Sequence, residues 1–311
     1  MKEYGIVILN YNKGLMTVDV IKSIIKYENI DNYSLIIVDN ASNQDERQHI
    51  IEYISKFDHK ILEEESLPDS IDIHDIYFLI LKQNYGYAIG NNRGLEIASK
   101  LNIKYSVVLN NDVFFVDKTL DLLKENFSHD EKIALVGPKV IDKNGNVQGP
   151  FKKTNFYYEF FLPLFFPILL LVSKILHRPK IISTQKISDY PYRLMGCFLM
   201  FKTNVLRSID YFDENTFLYA EEVIIAEKLL IAEAKTFFDN RVTVIHMHKQ
   251  STKLLQPSFL FNEKAKSEKY YLQKYLSYNR FALFLIKFSK NIYRVHLYII
   301  GALTKSLRKR N

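Results

Sequence analysis

The chain has 311 residues and one cysteine, Cys197. No intrachain disulfide can form, and one thiol cannot build a Cys-based zinc site. That suits a reducing compartment. No G-x-G-x-x-G follows the first predicted strand, and no G-x-x-x-x-G-K-[ST] occurs anywhere. The Rossmann dinucleotide fingerprint and the Walker phosphate loop are therefore excluded. There is no internal repeat and no low-complexity linker. The N-terminal stretch MKEYGIVILNYNK has an apolar run of only five residues. That is too short for a signal-peptide core, so export is not expected.

What the chain has is apolar mass and a lopsided charge. Hydrophobic residues make up 48%, enough for one large core or a core plus an appendage. The formal charge is +7, but residues 262–311 hold twelve Lys+Arg against two acids, Glu263 and Glu268. Residues 1–261 carry 30 basic and 33 acidic residues. A near-neutral body with a basic tail points to a polyanionic surface as partner, nucleic acid or anionic lipid.

The first 140 residues alternate between two patterns. Strands are predicted at 5–9, 34–39, 76–81, 105–110 and 133–137, with helical segments at 15–28, 43–57, 88–101 and 117–127. Residues 63–75, acidic and holding Pro68, read as a loop. Alternation of this kind predicts an α/β domain with a mostly parallel sheet. LMGCFLMF (194–201) reads as a later buried strand, and 259–311 as helical, aromatic and basic.

The first four strands end in polar residues: Asn10-Tyr11-Asn12, Asp39-Asn40, Gln83-Asn84-Tyr85-Gly86, and Asn110-Asn111-Asp112. Singly, each is an ordinary turn former. Together they mark a shared site, because ligands of open α/β sheets bind beyond the carboxyl ends of the strands. A nucleotide there lacks both standard phosphate loops, so a carboxylate-held divalent cation is expected. Asp112, a carboxylate between two apolar runs, is placed to hold it.

Six ordered blocks then carry a family resemblance: IVILNYN (6–12), IIVDNAS (36–42), NYGYAIGNNRG (84–94), VLNNDV (108–113), FLYAEEVIIAEKL (217–229) and IHMHKQST (245–252). The chain resembles a family 2 glycosyltransferase of the GT-A fold, in the bacterial rhamnosyltransferase-like branch. The resemblance implies that Asn10, Tyr11, Asn12 and Asp39 cradle the donor nucleoside. It implies that Asn84, Gly86 and Asn91 close over the nucleotide and sugar. Asn110-Asn111-Asp112 stands in place of the D-x-D motif, with Asn111 on the donor and Asp112 on Mg2+ or Mn2+. His246 resembles the late histidine that helps the metal or contacts the diphosphate, with His248 a weaker candidate. Glu221-Glu222 stands where Glu-Asp is usual. Glu222 aligns with the base, which takes a proton from the acceptor hydroxyl in an inverting displacement; the extra methylene leaves Glu221 as the alternative. Ile224 stands where a second Asp is frequent. Cys197 reads as a small core residue. Lys82 and Arg93 could touch phosphate, but read equally well as solvated-face residues.

Two segments point to a membrane. Residues 156–176 are long enough to span a bilayer, yet contain Glu159, Pro163 and Pro167. A span would also part Asp112 from Glu222. A helical insertion that dips into the interface or packs on the core is expected instead. The tail mixes Lys and Arg with Phe, Leu, Ile and Tyr, the composition of interfacial helices; a dimer-forming helix pair is the alternative.

The expectation is a GT-A body over 1–255, with an apolar insertion at 156–176 and a basic amphipathic helical tail at 256–311. It would move a sugar from a UDP- or dTDP-linked donor to a hydroxyl of a lipid-linked saccharide. The work would be done at the cytoplasmic face of the cell membrane, in capsule, O-antigen or cell-wall polysaccharide assembly. The competing readings are a catalytically impaired nucleotide-sugar-binding protein and a sugar nucleotidyltransferase. The latter would want a Gly-rich basic loop that IVILNYNKG lacks.

Overall fold

The computed structural model describes residues 2–66, 68, 70–175, 188–247 and 256–308. The chain divides into two compact units, one of residues 1–151 and 188–271, the other of 152–187 and 272–311.

The first unit is built on a nine-stranded sheet. In chain order its strands are β1 (Tyr4–Asn10), β2 (Tyr33–Asp39), β3 (His59–Glu63), β4 (Ile76–Ile80), β5 (Tyr105–Asn110), β6 (Val113–Phe115), β7 (Ile133–Ile141), β8 (Phe198–Lys202) and β9 (Lys235–His246). Their spatial order is β3-β4-β2-β1-β5-β8-β7-β9-β6. The first five in that order are mutually parallel. β8 runs antiparallel to both β5 and β7, β7 is parallel to β9, and β6 is antiparallel to β9. The predicted α/β class with a mostly parallel sheet is what the protein has.

Continuous apolar strands require both sheet faces to be covered. Tyr4, Ile6, Ile8, Leu35 and Ile37 pack on one side with α1 (Gly14–Tyr27) and α2 (Gln44–Ile54), through Val18, Ile21, Ile24, Ile50 and Ile54. The alternate residues Val7, Ile36 and Val38 face α3 (Gly86–Lys100) through Leu95, Ile97 and Ala98. Gly86, Gly90, Gly94 and Ala98 recur every four residues, one face of a helix. That face lies close on the sheet: a Cβ on Gly94 would sit 2.4 Å from Val7 Cγ1. α4 (Leu120–Glu125), α6 (Thr203–Ser208) and α7 (Glu221–Ile231) complete the layers, and α8 (Pro257–Lys274) begins in this unit.

Three differences from the sequence reading have physical causes. β3 is an extra edge strand whose only buried residue is Leu62, so it lacks an apolar period. β6 has three residues and forms only because β9 lies beside it. The predicted strand at 194–201 begins at Phe198, and Gly196 and Cys197 instead form a turn before it.

The second unit contains α5 (Phe156–Ile175) and α9 (Arg280–Arg308), which pack on each other. No helix of the described residues is long and apolar enough to cross a membrane.

Burial on both faces has a direct test. Ile36→Ala and Ile37→Ala, on opposite faces of β2, should each cost about 2–5 kcal/mol in urea unfolding. A sheet solvated on one side would spare one of them.

Candidate active site

The register brings the polar strand ends into one row: Asn10 lies beside Asp39 on β2, and Leu9 beside Asn110 on β5. Asn10 is fully buried. Its amide donates to Asp39 Oδ1 at 2.9 Å and Ser42 Oγ at 3.0 Å. Its carbonyl accepts from Thr17 Oγ1 at 2.9 Å and Asn111 Nδ2 at 3.3 Å. Asp39 is equally buried, and its other oxygen accepts from Ser42 N at 3.0 Å and Arg47 Nε at 2.7 Å. Asn12 adopts a left-handed backbone, φ 50°, and its side chain accepts from Asn43 N at 2.7 Å. Tyr11 lies between, half-buried. The structure thus joins Asn10, Asn12, Asp39 and Asn111 in one buried network. Thr17, Ser42 and Arg47 complete it; Ser42 lies in the IIVDNAS block, whereas Thr17 and Arg47 did not stand out in the sequence.

A second network closes over the next strand end. Asn40 donates to Asn84 Oδ1 at 2.9 Å and to the Gly86 carbonyl at 3.0 Å, and accepts from Tyr85 N at 2.9 Å. Gly86 has φ 85°, and a Cβ there would sit 2.2 Å from the Phe217 carbonyl. Only glycine fits both demands. Tyr87 N donates to that same carbonyl at 2.8 Å, which ties the start of α3 to the segment that leads into α7. Asn91 is fully buried; its amide donates to the Tyr87 carbonyl at 2.9 Å, and its Oδ1 has no partner among the described residues. Lys82 and Arg93 pair with nearby acids, Glu65 and Glu96.

Asp112 and His246 meet because β6 pairs with the last turn of β9. Val113 lies opposite His246, and Met247 N donates to the Asp112 carbonyl at 2.9 Å. Asp112 Oδ1 is 3.2 Å from His246 Nε2, and both residues are about 5% exposed. His246 Nδ1 lies 2.9 Å from Gln148 Oε1. A neutral imidazole has one N–H. If Nδ1–H donates to Gln148, the Nε2 lone pair faces a carboxylate oxygen, an arrangement that a shared cation resolves. Gln148 is the residue the sequence reading missed; it sits in the polar turn DKNGNVQG, where no pattern marks it. The carboxylate suits Mn2+ or Mg2+, with water and phosphate oxygens completing the shell, and the imidazole favours Mn2+ over the harder Mg2+. No group of three or more His, Cys, Asp or Glu among the described residues could hold a metal by itself. His248 lies outside the described residues.

Glu221 and Glu222 open α7 after two consecutive non-glycine left-handed residues, Tyr219 (φ 74°) and Ala220 (φ 70°). Such backbone costs about 1–3 kcal/mol per residue and persists where surrounding structure enforces it. Glu222 lies over Gly196, where a Cβ would stand 2.5 Å from Glu222 Cγ. Tyr87 Oη donates to the Gly196 carbonyl at 2.9 Å. Burial, then the fields of Asp112 and Glu222, push the Cys197 thiol up. Both carboxylates therefore act on one locality around Cys197. Ile224 is a core residue, 1% exposed. Glu221 is buried, and its Oε1 has no hydrogen-bond partner among the described residues. Burial first, and Glu222 second, push its carboxyl up to about 8.

The glycosyl transferase family 2 model matches residues 5–178. No curated protein matches the sequence significantly. The solved structures similar to the chain include these three. GalNAc-T7 with UDP, GalNAc and Mn2+ aligns at 14% identity and TM-score 0.55, over 81% of this chain and 45% of that one. The mannosyltransferase PcManGT from Pyrobaculum calidifontis, in complex with GDP-Man and Mn2+, aligns at 11% and 0.57, over 96% and 75%. TarS from S. aureus aligns at 15% and 0.54, over 88% and 40%. The chain thus spans less than half of the first and third. These identities show a shared fold, GT-A.

The Glu221 environment sets a pH dependence. A carboxyl raised on folding stabilises fully below its unfolded pKa, and the gain is lost as pH rises through about 8. Glu221→Gln should remove that loss. Its unfolding free energy, compared with the parent's, should gain between pH 5 and pH 9, by an amount on the order of a few kcal/mol. Parallel melting curves across this range would refute the assignment.

Proposed function

The chain belongs to glycosyl transferase family 2, and from that premise we propose that it transfers a sugar from a nucleotide-sugar to a saccharide hydroxyl. The observation that carries this reading is the pairing of two chemistries at one sheet edge. Asp112 and His246 meet at the ends of β5 and β9. Glu222 lies against Gly196, and the fields of Asp112 and Glu222 both act on the neighbouring Cys197.

The donor is read as UDP- or dTDP-linked and the branch as rhamnosyltransferase-like. Relatives of the same fold hold UDP or GDP-Man together with Mn2+. Asp112 and His246 would hold the divalent cation, Mg2+ or Mn2+, which supplies Lewis-acid stabilisation of the departing nucleoside diphosphate. Gln148 holds the His246 ring. The strand-end network of Asn10, Asp39 and Asn111 keeps the floor of the donor site rigid. Glu222 is the base. Glu222 stands over Gly196, beside the turn that also feels the field of Asp112, whereas burial and then Glu222 push the Glu221 carboxyl up. The acceptor oxygen attacks the anomeric carbon and its proton passes to Glu222. The bond to the diphosphate oxygen breaks on the opposite side, so the product is inverted. When protonated, Glu221 spares Glu222 a full charge beside it, and stands ready to donate a hydrogen bond to a sugar oxygen. The acceptor is read as lipid-linked, at the cytoplasmic membrane face, in cell-surface polysaccharide assembly; the basic, aromatic tail supports that choice.

Asp112→Ala should abolish transfer, read as nucleoside diphosphate release, while the melting curve persists; near-normal turnover would sink the metal reading. Glu222→Gln should lose turnover by at least about 10²-fold and keep donor binding by calorimetry. The same outcome in Glu221→Gln alone would move the base to the earlier residue. Gln148→Leu should weaken Mn2+ binding, followed by electron paramagnetic resonance, by about 10–100-fold.

A further inference from the structure

α9 has three distinct faces. The inner face packs on α5: Ile286 and Ser289 are buried, Ser289 Oγ donates to the Phe160 carbonyl, and Lys290 pairs with Glu159 at 2.9 Å. A second face carries Phe281, Phe284, Phe288 and Val295, each 50–68% exposed. Their spacing of three, four and seven places them in one stripe. A third face carries Arg280, Lys287 and Arg294, spaced by seven and exposed, so a basic row borders the apolar stripe. α5 has a stripe of its own: Tyr157, Tyr158, Phe161, Leu162 and Phe165 are 36–63% exposed.

An apolar surface of this extent marks a contact site. A second copy of the chain is a poor occupant. α9 holds six Lys and Arg and no acid, so a copied helix would set its own basic row against this one with no acid on either helix between them. An anionic bilayer matches both faces at once. Its acyl boundary takes the aromatic stripes, and its phosphates take the basic row. The helices would lie in the interface, since none among the described residues can cross.

We propose that α5 and α9 seat their exposed aromatic stripes in the interface of an anionic lipid bilayer, with Arg280, Lys287 and Arg294 against lipid phosphates. This rests on the membrane reading above for the class of partner, and adds the faces, the lipid charge and the non-spanning pose.

The test is flotation of the full chain with vesicles of phosphatidylcholine alone or with phosphatidylglycerol. The parent should bind only the anionic vesicles. Phe281→Ser with Phe284→Ser and Phe288→Ser, and separately Tyr157→Ser with Phe161→Ser and Phe165→Ser, should each lower binding at least tenfold. Lys287→Glu with Arg294→Glu should lower it by about tenfold or more, and added salt should do the same. All three variants alter exposed side chains, so unchanged melting curves certify the fold. If the parent binds no vesicle, this proposal and the membrane reading fall together. If it binds but the variants bind equally well, the face assignment falls and the membrane reading stands. Equal binding to neutral vesicles overturns the phosphate contacts. A parent dimer that ignores vesicles, and that the Phe variants render monomeric, makes the stripe a self-association seam and overturns the proposal.

Discussion

Asn10 touches no solvent, and both ends of its amide are taken up by other buried groups. Leaving either end unpaired in that interior would cost about 1–3 kcal/mol. The requirement binds β1 to β2 through Asp39, to α1 through Thr17, and to the turn after β5 through Asn111. Asp39 brings a charge into the same place, which Arg47 and two further donors compensate. The strand ends are thereby locked in register before any ligand arrives. Asp112, one residue beyond Asn111, inherits its position from that lock.

Around the locked floor the remaining groups are set by close approach. Gly86 lets the start of α3 touch the Phe217 carbonyl, and Gly196 leaves room for the Glu222 side chain. Between them, Tyr219 and Ala220 hold a left-handed turn that aims two adjacent carboxylates differently. One is sealed from water; the other lies over the glycine. Identical side chains acquire separate surroundings, through burial first and their mutual repulsion second. Asp112 first reads as a charge stranded between apolar runs. In the fold it meets the His246 ring, which Gln148 holds from behind.

Much of this was legible in the residues. Long apolar strands such as GIVIL and SLIIVD announce themselves, because burial on both faces needs an unbroken run. Helices α1 and α3 show their apolar or small-residue period. β3 and β6 did not show, since an edge strand with one buried residue, and a three-residue strand made by its neighbour, have no period. The turn at Gly196 and Cys197 was hidden by the apolarity around it. Asn10, Asp39 and Asp112 were visible as polar groups at strand ends. Thr17, Arg47 and Gln148 were not, since nothing local distinguishes them from ordinary helix or turn residues.

By itself the sequence determined the α/β alternation, the polar row at the strand ends, the tandem glutamates and the basic, aromatic tail. All of these are local: they follow from side-chain period, turn chemistry and composition. Only the tertiary structure decided which distant groups meet. His246 reaches Asp112 through an antiparallel pairing across more than a hundred residues, and Gln148 reaches His246 from another turn. Glu221 differs from Glu222 only through what surrounds each, and the three faces of α9 separate only once α5 covers one of them. Contact, desolvation and exposure are properties of the packed chain, and no single stretch of residues carries them.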